Sequence, residues 1–111
     1  MPKIGNLENT ESQMRKGTLE FMVMLIVAKG PTYAADILVE LKQAELIVVE
    51  GTLYPLLTRL KTSGLLSYTW EESAVGPPRK YYALTKEGQD AVKRLAATWD
   101  RLNKSIKALR K

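Results

Sequence analysis

The sequence predicts a small α+β domain that is mainly α-helical, and three observations support this fold class. Apolar residues recur at helical spacing in three segments, and a fourth segment is apolar almost all round. Two short segments alternate apolar and polar residues on either side of a loop rich in glycine and proline. The chain of 111 residues is long enough for one hydrophobic core and too short for two.

The composition excludes several classes of protein. The chain has no cysteine and no histidine, which excludes disulfide scaffolds, Cys/His zinc sites, cysteine nucleophiles and histidine bases. We therefore expect neither an enzyme nor a metal or cofactor. Because 17 basic residues outnumber 12 acidic ones, the net charge of +5 favours an anionic partner, with nucleic acid first.

The hydropathy pattern argues against a membrane protein. The longest apolar run, residues 21–28, is far shorter than the roughly 18–20 residues that a membrane span requires. A polar stretch follows Lys3, so the N-terminus does not resemble a signal peptide. The lack of cysteine is consistent with a reducing compartment, and we expect a cytoplasmic protein without a membrane partner.

The first half of the chain predicts three helices and one strand. Residues 1–9 are expected to be flexible, and a helix begins near residues 10–12 and ends before Gly30 and Pro31. Thr32 is expected to cap the second helix. The inward-facing residues of that helix are Ala34, Ile37, Leu38 and Leu41.

A short strand and the third helix follow. The β-branched run at residues 47–49 predicts the strand. The helix spans residues 52–63, and Gly64 permits the left-handed conformation that is common after helix ends. The residues of this helix that face inward are Leu53, Leu56, Leu57 and Leu60.

The next two segments, residues 66–71 and 79–84, predict a β-hairpin with a long tip. Trp70 points to the same side as Leu66 and is expected in the hairpin core. Thr85 is expected to cap the last helix.

The last helix has a narrow apolar seam on an otherwise polar surface. The seam follows the spacing 3, 4, 3, 4, 3 over 18 residues, which indicates helix–helix packing. Neither this seam nor the all-round apolar stretch 19–28 has an evident partner in one chain, so we expect a homodimer. The expected dimerisation residues are Val92, Leu95, Trp99, Leu102, Ile106 and Leu109.

The element order is that of a winged helix-turn-helix with an N-terminal helix and one C-terminal dimerisation helix. We expect a flexible N-terminus at 1–9, a DNA-binding domain at 10–85 and a dimerisation helix at 86–111. Hydroxyls and cations on one exposed side of the third helix can bond phosphates and base edges in the major groove of double-stranded DNA. The expected DNA-binding residues are Thr52, Tyr54, Thr58, Arg59 and Lys61, with Arg79 and Lys80 at the base of the wing.

Several motifs closely resemble the PadR family of bacterial transcriptional regulators. They are Gly51-Thr-Leu-Tyr-Pro55, Gly64-Leu65 and Pro78-Arg-Lys-Tyr-Tyr82, followed by Leu84-Thr85 and Gly88. The resemblance covers residues 14–110, and the single helix after the wing is similar to the short subfamily. It implies a homodimeric repressor, often released from DNA by small aromatic molecules. It also implies that the first motif begins the recognition helix. The alternative is a winged-helix protein–protein adaptor that does not bind DNA.

Residues 98–104 also resemble the multidrug-binding branch of this subfamily. There a tryptophan on the last helix stacks flat aromatic ligands at the dimer centre, and the resemblance gives that role to Trp99. We expect Asp100 and Asn103 to supply polar contacts and Met14 or Phe21 to form a wall. The alternative is that Trp99 is a packing residue of the seam.

Overall fold

Four helices and one three-stranded sheet make up the part of the chain that the computed structural model describes, residues 4–111, with side chains from Asn6 onward. In chain order the elements are α1 (Ile4–Val27), β1 (Thr32–Tyr33), α2 (Ala34–Gln43), α3 (Glu50–Thr62), β2 (Leu66–Glu71), β3 (Arg79–Leu84) and α4 (Lys86–Leu109). The hairpin β2–β3 forms a wing between α3 and α4, which confirms the predicted fold class. Within this range, no helix is both long enough and apolar enough to cross a membrane.

The first helix is longer at its N-terminal end than the sequence predicts. It begins at Ile4 rather than near residues 10–12, so the expected flexibility of residues 1–9 is wrong for residues 4–9. Residues 1–3 lie outside the described part of the chain. The added turns are mostly polar and contain no proline, so nothing interrupts a helix whose C-terminal half is fixed by packing.

The third strand of the sheet is β1, not the strand predicted at residues 47–49. Thr32 lies opposite Tyr82 in an antiparallel pair, which gives the sheet order β1-β3-β2. Residues 47–49 form an irregular connection between α2 and α3, and Ile47 is 87% exposed. A β-branched run becomes a strand only where it can bond to a neighbouring strand, and this run has none.

The start of α2 also differs from the prediction, because Thr32 is not its cap. The Thr32 hydroxyl donates to the carbonyl oxygen of Gly30 at 2.7 Å. Tyr33 is the N-cap residue, with an extended backbone and no capping hydrogen bond from its side chain. The first amides of α2 therefore lack a side-chain acceptor.

The hydrophobic core lies between α1, α2 and α3, with Val23, Ile37 and Leu53 fully buried at its centre. The predicted inward stripes of α2 and α3 are confirmed, except that Leu38 is only partly buried. Most of the apolar second half of α1 is covered within the single chain, although Leu25 stays exposed. Most of the apolar residues in this half of α1 are therefore buried by their own chain, and fewer remain for a contact with a second subunit than the sequence predicts.

The last helix extends beyond this core. Val92 and Leu95 pack against it. The later residues of the predicted seam are exposed in the single chain; they are Trp99, Leu102, Ile106 and Leu109. The second half of α4 therefore presents an apolar stripe that its own chain does not bury.

The start of α4 packs closely against the turn between α3 and β2. The Thr85 hydroxyl donates to the carbonyl oxygen of Gly64 at 2.6 Å and accepts from the Gly88 amide at 3.0 Å, so Thr85 caps α4 as predicted. Gly64 adopts the predicted left-handed conformation, with φ of 81°. A β-carbon on Gly88 would stand 2.1 Å from the carbonyl oxygen of Leu65. Only glycine fits there without a shift of the backbone.

Gly88→Ala is expected to lower the free energy of unfolding by about 1–3 kcal/mol, because the new methyl group overlaps a backbone oxygen. The control is Gly51→Ala, where a β-carbon meets no atom within 4 Å. That change should be neutral or stabilise by up to about 1 kcal/mol. Urea denaturation at one protein concentration, followed by far-UV circular dichroism, measures both. A Gly88→Ala protein as stable as the parent would contradict the close packing.

Candidate nucleic-acid interface

The α3 residues predicted to bind DNA lie on two flanks of that helix. Tyr54, Thr58 and Lys61 follow at spacings of four and three residues and form the flank toward the wing. Thr52 and Arg59, seven residues apart, form the flank toward α1. The expectation that Arg59 lies on the same exposed side of α3 as Tyr54, Thr58 and Lys61 is therefore wrong.

The cations of the wing and of its neighbouring flank stand over aromatic rings. Two of them approach the ring of Tyr68, with the Nζ atom of Lys80 at 4.2 Å and that of Lys61 at 5.2 Å from its centroid. The guanidinium carbon of Arg79 lies 4.8 Å from the ring centroid of Tyr33. These contacts restrict long side chains that would otherwise move freely, and leave their charges at the surface. We call Tyr54, Thr58, Lys61, Arg79 and Lys80 the wing-side surface.

A pocket of about 380 Å³ opens between the start of α2, α3 and the wing. Its lining combines cationic, aromatic and proline side chains; these are Tyr33, Tyr54, Trp70, Val75, Pro77, Pro78, Arg79, Lys80 and Tyr82, with Ala34 from α2. Ala34, the first residue of α2, lines the same pocket, and the N-cap residue Tyr33 makes no side-chain hydrogen bond to the amides of that helix. We call this space the wing pocket. An anionic group fits it chemically, because helix N-termini and guanidinium groups both favour negative charge.

Three of the residues that line the wing pocket are tyrosines, namely Tyr33, Tyr54 and Tyr82. Tyr82 is only 4% exposed. Burial raises the pKa of its hydroxyl, and the neighbouring Tyr54 and Tyr68 raise it further. The Tyr82 hydroxyl therefore stays protonated at neutral pH and can donate a hydrogen bond.

Trp70 was expected in the hairpin core, and this is wrong, since it is 62% exposed. It shares a strand face with Leu66, which is buried, and Tyr68, which is half-buried. Trp70 is not covered by the core; its ring instead contacts Tyr68 edge-on and lies near the Nζ atom of Lys80, at 5.2 Å from the centroid. The sequence analysis also missed Tyr33 and Tyr68 as supports of the cations. The signal is the antiparallel register, which pairs Tyr68 with Tyr82, two residues from Lys80, and Tyr33 with Tyr81, two residues from Arg79.

Arg59 is held by α1 rather than by the wing. Its Nε donates to the Oε1 atom of Glu20 at 2.9 Å, and its Nη2 contacts the same oxygen. The arginine side chain is nevertheless 61% exposed. Arg59 is thus accessible to solvent while its charge is paired.

A groove of about 320 Å³ between α1 and α4 contains three of the five predicted ligand residues. Met14, Phe21 and Trp99 all line it. Asp100 and Asn103 are not part of its lining, although Asn103 lies one helical turn after Trp99. We call this space the α1–α4 groove.

Known proteins and structures resemble the chain over most of its length. The family model for the transcriptional regulator PadR-like family matches residues 23–94. The chain is 57% identical to a PadR-like transcription factor from Bacteroides fragilis, over 91% of this chain and 98% of that one, with a TM-score of 0.79. A PadR family transcriptional regulator from Eggerthella lenta is 29% identical over 96% of this chain and 94% of that one, with a TM-score of 0.84.

A third similar structure is a PadR-like transcriptional regulator from Bacillus cereus, 30% identical over 89% of this chain and 97% of that one, with a TM-score of 0.80. No curated protein matches the chain. The family model covers more than half of the chain and includes α3 and the whole wing. The protein therefore belongs to the PadR-like family and is a DNA-binding transcriptional regulator, not an enzyme.

Proposed function

We propose that the protein is a homodimeric repressor that binds operator DNA through α3 and the wing and is released by a planar aromatic ligand. The observation that supports DNA binding here is the wing-side surface, where three cations stand over aromatic rings. Side chains already restricted lose less entropy when they bind phosphate. The division into a DNA-binding part, residues 10–85, and a dimerisation helix, residues 86–111, belongs to this proposal, as does a cytoplasmic location.

On this proposal α3 lies in the major groove, and its two flanks face the two backbone strands that border the groove. Tyr54, Thr58 and Lys61 approach one strand and the nearby base edges. Thr52 and Arg59 approach the other strand. The wing cations Arg79 and Lys80 contact phosphates next to the groove, and the wing pocket accommodates one of these phosphates.

The adaptor alternative requires an apolar surface on α3 for a protein partner. The exposed side chains on the wing-side flank of α3 are a phenol, a hydroxyl and an ammonium group. These groups suit phosphate oxygens better than an apolar partner. The geometry therefore favours DNA binding.

Lys61→Ala is expected to weaken binding to all duplex sequences about equally, because a phosphate contact carries no sequence information. The slope of log affinity against log salt should fall by about 1. Lys107→Ala removes the same charge from the far end of α4 and is the control. Fluorescence anisotropy with a duplex from upstream of the protein's own gene and with a mixed-sequence duplex measures both. Equal slopes for the two variants would remove Lys61 from the interface.

The dimer part of the proposal is supported by the exposed seam of α4. Trp99, Leu102 and Ile106 follow the heptad spacing and are uncovered in the single chain. Exposed apolar stripes of this kind mark protein–protein contacts. A two-fold axis through the seam would bury them against a second α4 or the partner's α1.

Replacing Leu102 and Ile106 together with lysine should produce a folded monomer, since neither side chain is buried in its own chain. In a dimer the change would bury unpaired charge at a cost of about 3–5 kcal/mol. Replacing Ala97 and Ala108 together with lysine adds the same charge at exposed positions on the opposite side of α4, so it is the control and should leave the dimer intact. Sedimentation velocity gives the mass of each variant. An unchanged dimer in the variant changed at Leu102 and Ile106 would exclude the seam as the interface.

The ligand part of the proposal is supported by the α1–α4 groove. Its apolar lining, with Trp99 on one side and Met14 and Phe21 on the other, suits a flat ring system. In the proposed dimer the groove would continue to Trp99 of the partner subunit. A ligand would release DNA only if it binds better to the dimer geometry that misfits the operator.

In a Trp70→Phe protein Trp99 is the only indole, and Hoechst-type or acridine dyes are expected to quench it saturably. Stacking on each indole face should contribute about 0.5–2 kcal/mol beyond the buried area. Trp99→Ala should abolish dye binding, followed by the anisotropy of the dye's own fluorescence, while leaving duplex binding intact in the absence of dye. Dyes that bind equally well without the indole would make Trp99 a packing residue.

A further inference from the structure

One ion pair joins the recognition helix to α1. Glu20 is the only charged residue in the apolar stretch 19–28, and it contacts Arg59, 39 residues further along the chain. Both Nε and Nη2 of Arg59 donate to the Oε1 atom of Glu20. The carboxylate therefore takes two of the donors with which a guanidinium would bind a phosphate.

We propose that Glu20 is an internal competitor of DNA, which holds Arg59 in a paired state that must open before Arg59 can contact a phosphate. This inference rests on the proposed DNA binding by α3. In the unbound protein the pair neutralises a cation on the α1-side flank. On DNA the guanidinium changes partner, from the carboxylate to the backbone.

The position of Arg59 makes this exchange feasible. Arg59 follows Thr52 after two helical turns on the same flank of α3. Its side chain is 61% exposed, so it can rotate away from α1 without crossing packed atoms. Glu20 is 38% exposed and would itself become solvated after the exchange.

The strength of the pair is suited to a competitor. Ion pairs between partly exposed side chains contribute about 0–1 kcal/mol, because water and salt screen the attraction. Such a pair opens readily when phosphates approach. The ion pair still lowers the affinity of the protein for every duplex, because the free energy needed to open the pair is subtracted from the free energy of DNA binding.

The negative charge of Glu20 also lowers the affinity for DNA. An uncompensated carboxylate close to the α1-side flank repels an approaching phosphate. While it is paired with Arg59, the two charges largely cancel. Removing the carboxylate charge should therefore both free the cation and remove the repulsion, and both effects favour DNA binding.

Glu20→Gln tests the inference, with Glu11→Gln as the matched control. Both changes raise the net charge by one on α1. Glu11 is exposed and takes part in neither ion pair found among the described residues. It lies nine residues before Glu20, about 13 Å along the helix and on the opposite side. Fluorescence anisotropy with a mixed-sequence duplex of about 30 base pairs, at several salt concentrations, measures affinity and salt slope.

The expected result is that Glu20→Gln binds the duplex up to about five-fold more tightly than Glu11→Gln, the ratio that corresponds to about 1 kcal/mol. The salt slope should stay close to that of Glu11→Gln, since Arg59 neutralises the same phosphate in the DNA complex with or without the Glu20 carboxylate. The gain should vanish when Arg59→Gln is added to Glu20→Gln. Thermal melting of each variant checks that the helices remain folded.

Two results would overturn the inference while the proposed DNA binding stands. If Glu20→Gln and Glu11→Gln bind alike, the pair is a surface contact without effect on DNA. If Glu20→Gln binds more weakly, Glu20 positions Arg59 for DNA instead of competing for it. A parent protein that binds no duplex at all would instead refute the proposed function, and the inference with it.

Discussion

The contact between Gly88 and the backbone of Leu65 fixes the relation between α3, the wing and α4. Because no side chain separates the two backbones, α4 begins directly against the turn that ends α3. Thr85 connects the same elements through hydrogen bonds to Gly64 and Gly88. A rotation of α4 relative to α3 would break these contacts. The orientation of α4, the proposed dimerisation helix, is thereby tied to that of α3, the helix proposed to enter DNA.

The wing depends on this junction for its direction and on its aromatic residues for its surface chemistry. The antiparallel register sets Tyr68 opposite Tyr82 and Trp70 opposite Lys80. Lysine and arginine side chains near the rings keep their charge at the surface while their stems lie on apolar area. A basic surface that is partly ordered before binding favours a defined mode of contact with phosphate over a diffuse attraction.

The first helix connects the two ends of the proposed mechanism. One side of α1 lines the α1–α4 groove with Met14 and Phe21, and another side bonds Arg59 through Glu20. Its buried residues, Val23 among them, hold it against α2 and α3. Since Glu20 and Phe21 are adjacent in a rigid helix, a movement of α1 at the groove also moves the partner of Arg59. Ligand binding in the α1–α4 groove and DNA contact by Arg59 would then both depend on α1.

The sequence by itself determined the helices, the hairpin, the inward stripe of α3 and the Thr85 cap, because these depend on patterns within a few residues. The order of the sequence motifs also indicated the PadR family. Only the tertiary structure decided that Thr32 joins the sheet while residues 47–49 do not, that Trp70 is exposed, and that Arg59 pairs with α1. Each of these outcomes depends on what lies next to a residue in space. Periodicity shows which face of an element is apolar or charged, but it does not show which distant group will meet that face.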